Sequence, residues 1–139
     1  MRYLDTSLII AALTIEPGSD RAQRALSQGG EPMMISDWSL TELSSALSIK
    51  LRTGQITADE RASHSAAIQR FTMHSFVKVP VTAADFRTAA IYADSWQAAI
   101  RAGDALHLAI AAARGAVVWT LDKGMAEAGP PLGVRVRLI

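Results

Sequence analysis

The chain has 139 residues, with 14 lysines and arginines against 13 aspartates and glutamates, and no cysteine. Disulfides, thiolate zinc sites and cysteine nucleophiles are therefore excluded, and nucleic acid would have to be held by a local basic patch and a metal rather than by bulk charge. Half of the residues are hydrophobic and only 6% aromatic, which predicts one domain over residues 1–139 with an aliphatic, alanine-rich core. No basic leader precedes an apolar run, and no stretch approaches the length of a membrane span, so the expected location is cytoplasmic. A mean hydropathy of +0.18 points to apolar surface covered by another chain.

Tyr3 and Leu4 begin a short strand that runs into Asp5, and Thr6 and Ser7 open a helical segment, Leu8 to Leu13. Glu16-Pro17-Gly18-Ser19 marks a turn, and Asp20 to Gln28 predicts a polar helix ended by Gly29-Gly30. Met33 to Ile35 is a second strand and Ser36 to Arg52 a helix, stopped by Gly54. Thr57-Ala58-Asp59-Glu60 has the spacing of a capping box for a helix reaching about His74. Phe76 to Val81 reads as a strand, Thr82 to about Ala99 as a helix, and Asp104 to Arg114 as a compact helix. Val117 to Leu121 is a fourth strand and Val134 to Ile139 alternates like an edge strand. Strands alternating with helices predict an α/β fold, with helices on both faces of a mostly parallel sheet of about five short strands.

Four carboxylates stand out within that frame. In an open α/β sheet ligands gather at the carboxyl ends of the strands, where Asp5 and Asp122 sit. Each also has a plainer reading, as the cap of the next helix for Asp5 and as a turn residue in Asp122-Lys123-Gly124. Glu42 falls about 20° from Ile49 and about 40° from Trp38 on its helix, so it faces inward. The alternative is that Ser39-Leu40-Thr41-Glu42 forms a capping box. Asp104 opens the most apolar helix of the chain, where the helix dipole tolerates a negative group; its plainer reading is a helix-start carboxylate with no further role.

Strand ends and helix starts share one edge of such a sheet, so all four carboxylates reach one crevice. Their mutual repulsion calls for a cation. Oxygen-only ligation selects Mg²⁺ or Mn²⁺, and that combination suits phosphodiester cleavage, the ion polarising a phosphoryl oxygen and activating water. His107, one turn after Asp104, reads as a core histidine that could also shuttle a proton. Ser7 and Thr120 are placed to orient a water or to bond locally. Trp38, Trp96 and Trp119 do not interleave with basic residues and read as core packing rather than a stacking platform.

Four segments, Tyr3-Leu4-Asp5-Thr6-Ser7, Ser39-Leu40-Thr41-Glu42-Leu43-Ser44-Ser45-Ala46-Leu47, Arg101-Ala102-Gly103-Asp104-Ala105-Leu106-His107-Leu108-Ala109 and Thr120-Leu121-Asp122, occur in an order and spacing that resemble the PIN-domain ribonucleases. The likeness is strongest to the VapC toxins of bacterial toxin-antitoxin pairs. The resemblance implies a three-layer α/β fold, a Mg²⁺- or Mn²⁺-dependent endoribonuclease activity on RNA, a homodimer, and inhibition by a cognate VapB-like antitoxin. It implies Asp5 and Asp104 as principal metal ligands, Glu42 completing the first site and Asp122 beside it. Trp119 and Lys123-Gly124-Met125 depart from the expected surroundings of Asp122. Arg2, Lys50, Arg52, Arg101 and Lys123 are basic candidates for the RNA backbone.

Three other readings compete. A phosphatase with a first-strand aspartate nucleophile needs a second aspartate two residues on, where Ser7 stands. A receiver domain needs an aspartate ending the third strand, near Pro80. A catalytically inactive PIN-like scaffold that only binds RNA or protein would carry the same motifs.

Overall fold

A computed structural model describes residues 1–139. Five parallel strands, β1 (Arg2–Leu4), β2 (Met33–Ser36), β3 (Phe76–Val79), β4 (Val117–Thr120) and β5 (Val136–Leu138), form one sheet in the order β3-β2-β1-β4-β5. Seven helices surround it: α1 (Thr6–Leu13), α2 (Ser19–Ser27), α3 (Asp37–Arg52), α4 (Ala58–His74), α5 (Ala83–Asp94), α6 (Ala102–Ala113) and α7 (Lys123–Ala128). No helix is long and apolar enough to cross a membrane.

Two clusters of buried residues explain the layering. Leu8, Ile9, Leu43, Leu47 and Trp119 belong to the cluster that packs α1 to α3 on one side, and Tyr3, Leu106, Leu108, Ile110 and Val118 to the one that packs α6 on the other. Alternate residues of a strand point to opposite faces, which is why Tyr3 and Leu4, or Val118 and Trp119, fall in different clusters. β1 is central, and the chain reverses its direction of strand addition between β1 and β4. A crevice opens at the carboxyl ends of strands at such a switch point.

The expected helix from Thr82 to about Ala99 ends early, at Asp94. Its alanines favour continuation, but α6 must fold back so that its end meets the start of α5. Residues 95–101 make that reversal, with Ala99 in the left-handed region at φ 48°. Helix α7 replaces the turn expected after Asp122; Gly124 and Gly129 conceal it in the sequence. Helix α6 starts at Ala102, which puts Asp104 in its first turn.

Where α5 meets α6, Asp85 closes the capping box of α5 with Thr82, and Arg114 reaches its carboxylate at 3.1 Å while donating to the Pro80 carbonyl at 2.7 Å. Burial alone would raise the Asp85 carboxyl, but Arg114 and then Thr82 outweigh it and hold it below its ordinary value. Replacing Arg114 by Met is expected to lower unfolding stability by about 1–3 kcal/mol at pH 7, the range for a charged hydrogen bond near the surface. The loss should shrink as pH falls below about 4, where Asp85 protonates in the unfolded chain. Urea denaturation at the two pH values checks it.

Candidate active site

Asp5 ends β1 and caps α1. Its Oδ2 accepts from the Ser7 amide at 3.3 Å, the Ser7 hydroxyl at 2.5 Å and the Thr120 hydroxyl at 2.8 Å. Three donors on one oxygen fix the carboxylate's orientation. Its other oxygen, Oδ1, lies 3.6 Å from His107 Nε2. Asp122 likewise caps α7, accepting from the Met125 amide at 3.0 Å, while its own amide donates to Thr120 Oγ1 at 2.8 Å. For both residues the capping reading and the crevice reading hold together. Ser7 and Thr120 join the two strand ends, their hydroxyls 3.3 Å apart.

Glu42 performs no capping. The box at the start of α3 is closed by Ser36 and Ser39, one turn earlier than the Ser39–Glu42 alternative. Relieved of that duty, Glu42 Oε2 accepts from Thr6 Oγ1 at 2.7 Å and bonds His107 Nε2 at 2.5 Å.

His107 is fully buried on α6, as a core histidine would be, but it also ties the crevice to the sheet. Its Nδ1 meets the Tyr3 hydroxyl at 2.8 Å, which lies 2.8 Å from Ser36 Oγ. Burial pushes the Tyr3 phenol up to about 12, so it remains a hydroxyl able to donate to Nδ1. Nε2–H then donates to Glu42.

Asp5, Glu42, Asp104 and Asp122 line one cavity of about 300 Å³, together with Thr6, Ser7 and Ser45. A more enclosed, apolar groove lies between α1, α2 and α4, lined by Ile9, Leu13, Leu26, Met33, Phe71 and Phe76. It carries no group suited to acid-base or metal chemistry. The acidic cavity has consistent electrostatics: burial, followed by the negative charges of Asp122 and Asp5, pushes the Asp104 carboxyl up to about 6. At Glu42, burial acts in the same sense, but hydrogen bonding and charge from His107, then the Thr6 hydroxyl and the Trp38 indole, hold the carboxyl below its ordinary value.

This donor set fits a hard divalent cation. Atoms of Asp5, Glu42 and His107 lie within 4.8 Å of one another; Asp104 and Asp122 are not in that group but line the same cavity, where a cation would relieve the repulsion that raises Asp104. Both His107 nitrogens are engaged by Tyr3 and Glu42, which leaves carboxylate oxygens as the donors.

Among the basic candidates, Arg2 is set apart. Its guanidinium is buried and donates to the carbonyls of Glu31, at 2.6 and 3.1 Å, and Ala25 at 3.5 Å. Arg2 and Arg137 both lie over the Trp119 ring, with guanidinium carbons 5.0 and 4.6 Å from its centroid. That ring is already covered and offers no platform for a base. Thr6, Tyr3 and Trp38 are the neighbours of the crevice that the sequence patterns did not single out as site residues. Trp38 had a legible signal, since it stands four residues before Glu42 on the same helix face.

Residues 2–129 match the family model described as PIN domain. The chain belongs to the PIN-domain family. Its fold is similar to that of Mycobacterium tuberculosis VapC20, described as a sarcin-ricin loop cleaving toxin, with TM-score 0.75 and 20% identity over 93% of this chain and 95% of that one. It is also similar to FitAcB from Neisseria gonorrhoeae, with TM-score 0.74 and 22% identity over 98% and 96%. VapBC2 from Rickettsia felis, bound to a promoter DNA fragment, aligns with TM-score 0.71 and 17% identity over 99% and 98%. No curated protein matches significantly.

Proposed function

We propose that this PIN domain is a metal-dependent endoribonuclease, the toxin of a VapBC-type pair. The observation that carries the reading is the convergence of Asp5, Glu42, Asp104 and Asp122 on one cavity at the carboxyl edge of the sheet. In it, Asp5, Glu42 and Asp104 would hold Mg²⁺ or Mn²⁺, with Asp122 beside them. The chemistry such an ion supplies is polarisation of a phosphoryl oxygen and activation of water for attack on phosphorus.

The chain's own residues prepare that chemistry. Ser7 and Thr120 hold Asp5 from below, while Thr6 and His107 hold Glu42 from the side. These restraints limit carboxylate rotation and reduce the ordering needed when cation and RNA arrive. The phosphatase reading lacks its second aspartate, since Ser7 stands in that place and bonds Asp5 and Leu121. The VapC20 description names a cleaved RNA element, which supports RNA as the substrate class.

A cognate antitoxin is the proposed regulator. One structural neighbour is a toxin-antitoxin complex from Klebsiella pneumoniae. An arginine from such a partner would pair bidentately with the crevice carboxylates, and the apolar groove between α1, α2 and α4 offers area for its hydrophobic side chains. The exposed Phe86 and Ile91 of α5 fit a homodimer.

Incubating labelled RNA with the protein should give internal cleavage with Mg²⁺ or Mn²⁺, none with chelator, and loss of cleavage when the adjacent-gene antitoxin is added. Binding without cleavage under any cation would replace the nuclease reading with the inactive scaffold. Cleavage undiminished by a bound antitoxin would remove the proposed regulation.

A further inference from the structure

Trp38 Nε1 is the one buried side-chain nitrogen or oxygen in the chain without a hydrogen-bond partner. An unpaired buried donor is costly, and its surroundings are informative. Trp38 lies one helical turn before Glu42 on α3. Both side chains meet over Gly103, the residue before Asp104. A Cβ at Gly103 would stand 3.1 Å from Glu42 Oε1, 3.5 Å from Trp38 Cζ2 and 3.8 Å from Trp38 Nε1.

The two oxygens of Glu42 are unequally served. Oε2 is engaged by Thr6 and His107, whereas Oε1 has no hydrogen bond. A buried donor without a partner and a solvent-facing acceptor without a protein partner therefore border the same small space, kept open because residue 103 has no side chain. The indole and this oxygen lie side by side over Gly103, though not in hydrogen-bond geometry.

Resting on the metal-site reading above, we infer that Trp38 is a positioning residue for Glu42, its indole N–H bonding Oε1 when a cation is held, with Gly103 as the gap that lets them meet. A carboxylate oxygen has lone pairs for a donor and a cation together, and partners of this kind orient ligands and tune affinity. With Thr6 and His107 on Oε2 and Trp38 on Oε1, the carboxylate is fixed from both sides.

Two measurements on the full chain test this. In ¹H–¹⁵N spectra the indole signal of Trp38 is identified by its absence in Trp38→Phe, apart from those of Trp96 and Trp119. Titration with Mg²⁺ should move it downfield and slow its exchange with solvent, while the Trp96 signal stays in place. In calorimetric titration with Mn²⁺, Trp38→Phe, which keeps an aromatic ring in the same space, should bind about tenfold more weakly. Gly103→Ala should weaken binding similarly. Wild-type binding of Mn²⁺ with Trp38→Phe within twofold of it, or with the Trp38 signal unmoved at saturation, overturns the inference and leaves the metal site standing. No binding by the wild type overturns both.

Discussion

Replacing Asp5 by Asn is expected to reduce RNA cleavage at least about a hundredfold and to weaken Mn²⁺ binding severely, with the fold intact. Asp5 is the best-anchored carboxylate of the crevice: three donors converge on Oδ2, and Oδ1 faces the cavity beside His107. Asn matches it in size, and its carbonyl can still accept from Ser7 and Thr120, so the cap of α1 survives. What disappears is the charge. A neutral amide is a poor ligand for a hard divalent ion compared with a carboxylate, and positioning errors or lost ligands at such centres cost orders of magnitude. Cleavage assays with circular dichroism on the same samples check it. Full activity in a folded Asp5→Asn protein would exclude Asp5 from catalysis.

Asp104→Asn should instead raise the stability of the chain in the absence of metal. The wild-type carboxyl ordinarily titrates near 3.8 but is pushed up to about 6 here, first by burial and then by Asp122 and Asp5. Between those values the folded chain holds a proton that the unfolded chain has lost. Stability from this group is therefore greatest below pH about 4, declines as pH rises through 6, and stays lower at pH 7.5. A shift of this size corresponds to about 3 kcal/mol, reduced to about 1–2 kcal/mol because the group is partly solvated.

In chelator at pH 7.5, Asp104→Asn should thus melt about 3–8 °C higher than wild type. The gap should narrow at pH 5. Adding Mg²⁺ should raise the wild-type melting temperature by linkage and leave Asp104→Asn nearly unchanged. A lower melting temperature for the variant in chelator would mean that Asp104 stabilises the apo fold.

Much of this architecture was readable in residue order. Alternation of β-forming runs with helical periods established the parallel sheet, because the central strands β1, β2 and β4 are buried on both faces and helices must cover them. The four carboxylates were legible for a related reason: a charge at a strand end or helix start can lie only at the sheet's edge. What escaped detection depends on three-dimensional closure. The end of α5 at Asp94 follows from the need to bring α6 back alongside, which Gln97, Ala98 and Ala99 do not signal, since all three are compatible with a helix. The short helix α7 was hidden by its glycines. The roles of Thr6 and Tyr3 arise from contacts across the fold, whereas Trp38 was legible only as a residue one turn before Glu42 on α3. His107 read as a core residue because Tyr3, its partner on the sheet, is 104 residues away.

The pairing of β1 with β4, which sets Arg2 beside Val117 and Leu4 beside Trp119, has a consequence for biosynthesis. One wall of the acidic cavity is made early and the rest later, so a nascent polypeptide on the ribosome contains Asp5 and Glu42 long before Asp104 and Asp122 emerge. Any capacity to bind a divalent ion in this cavity therefore arrives only once the last of these four carboxylates has been made.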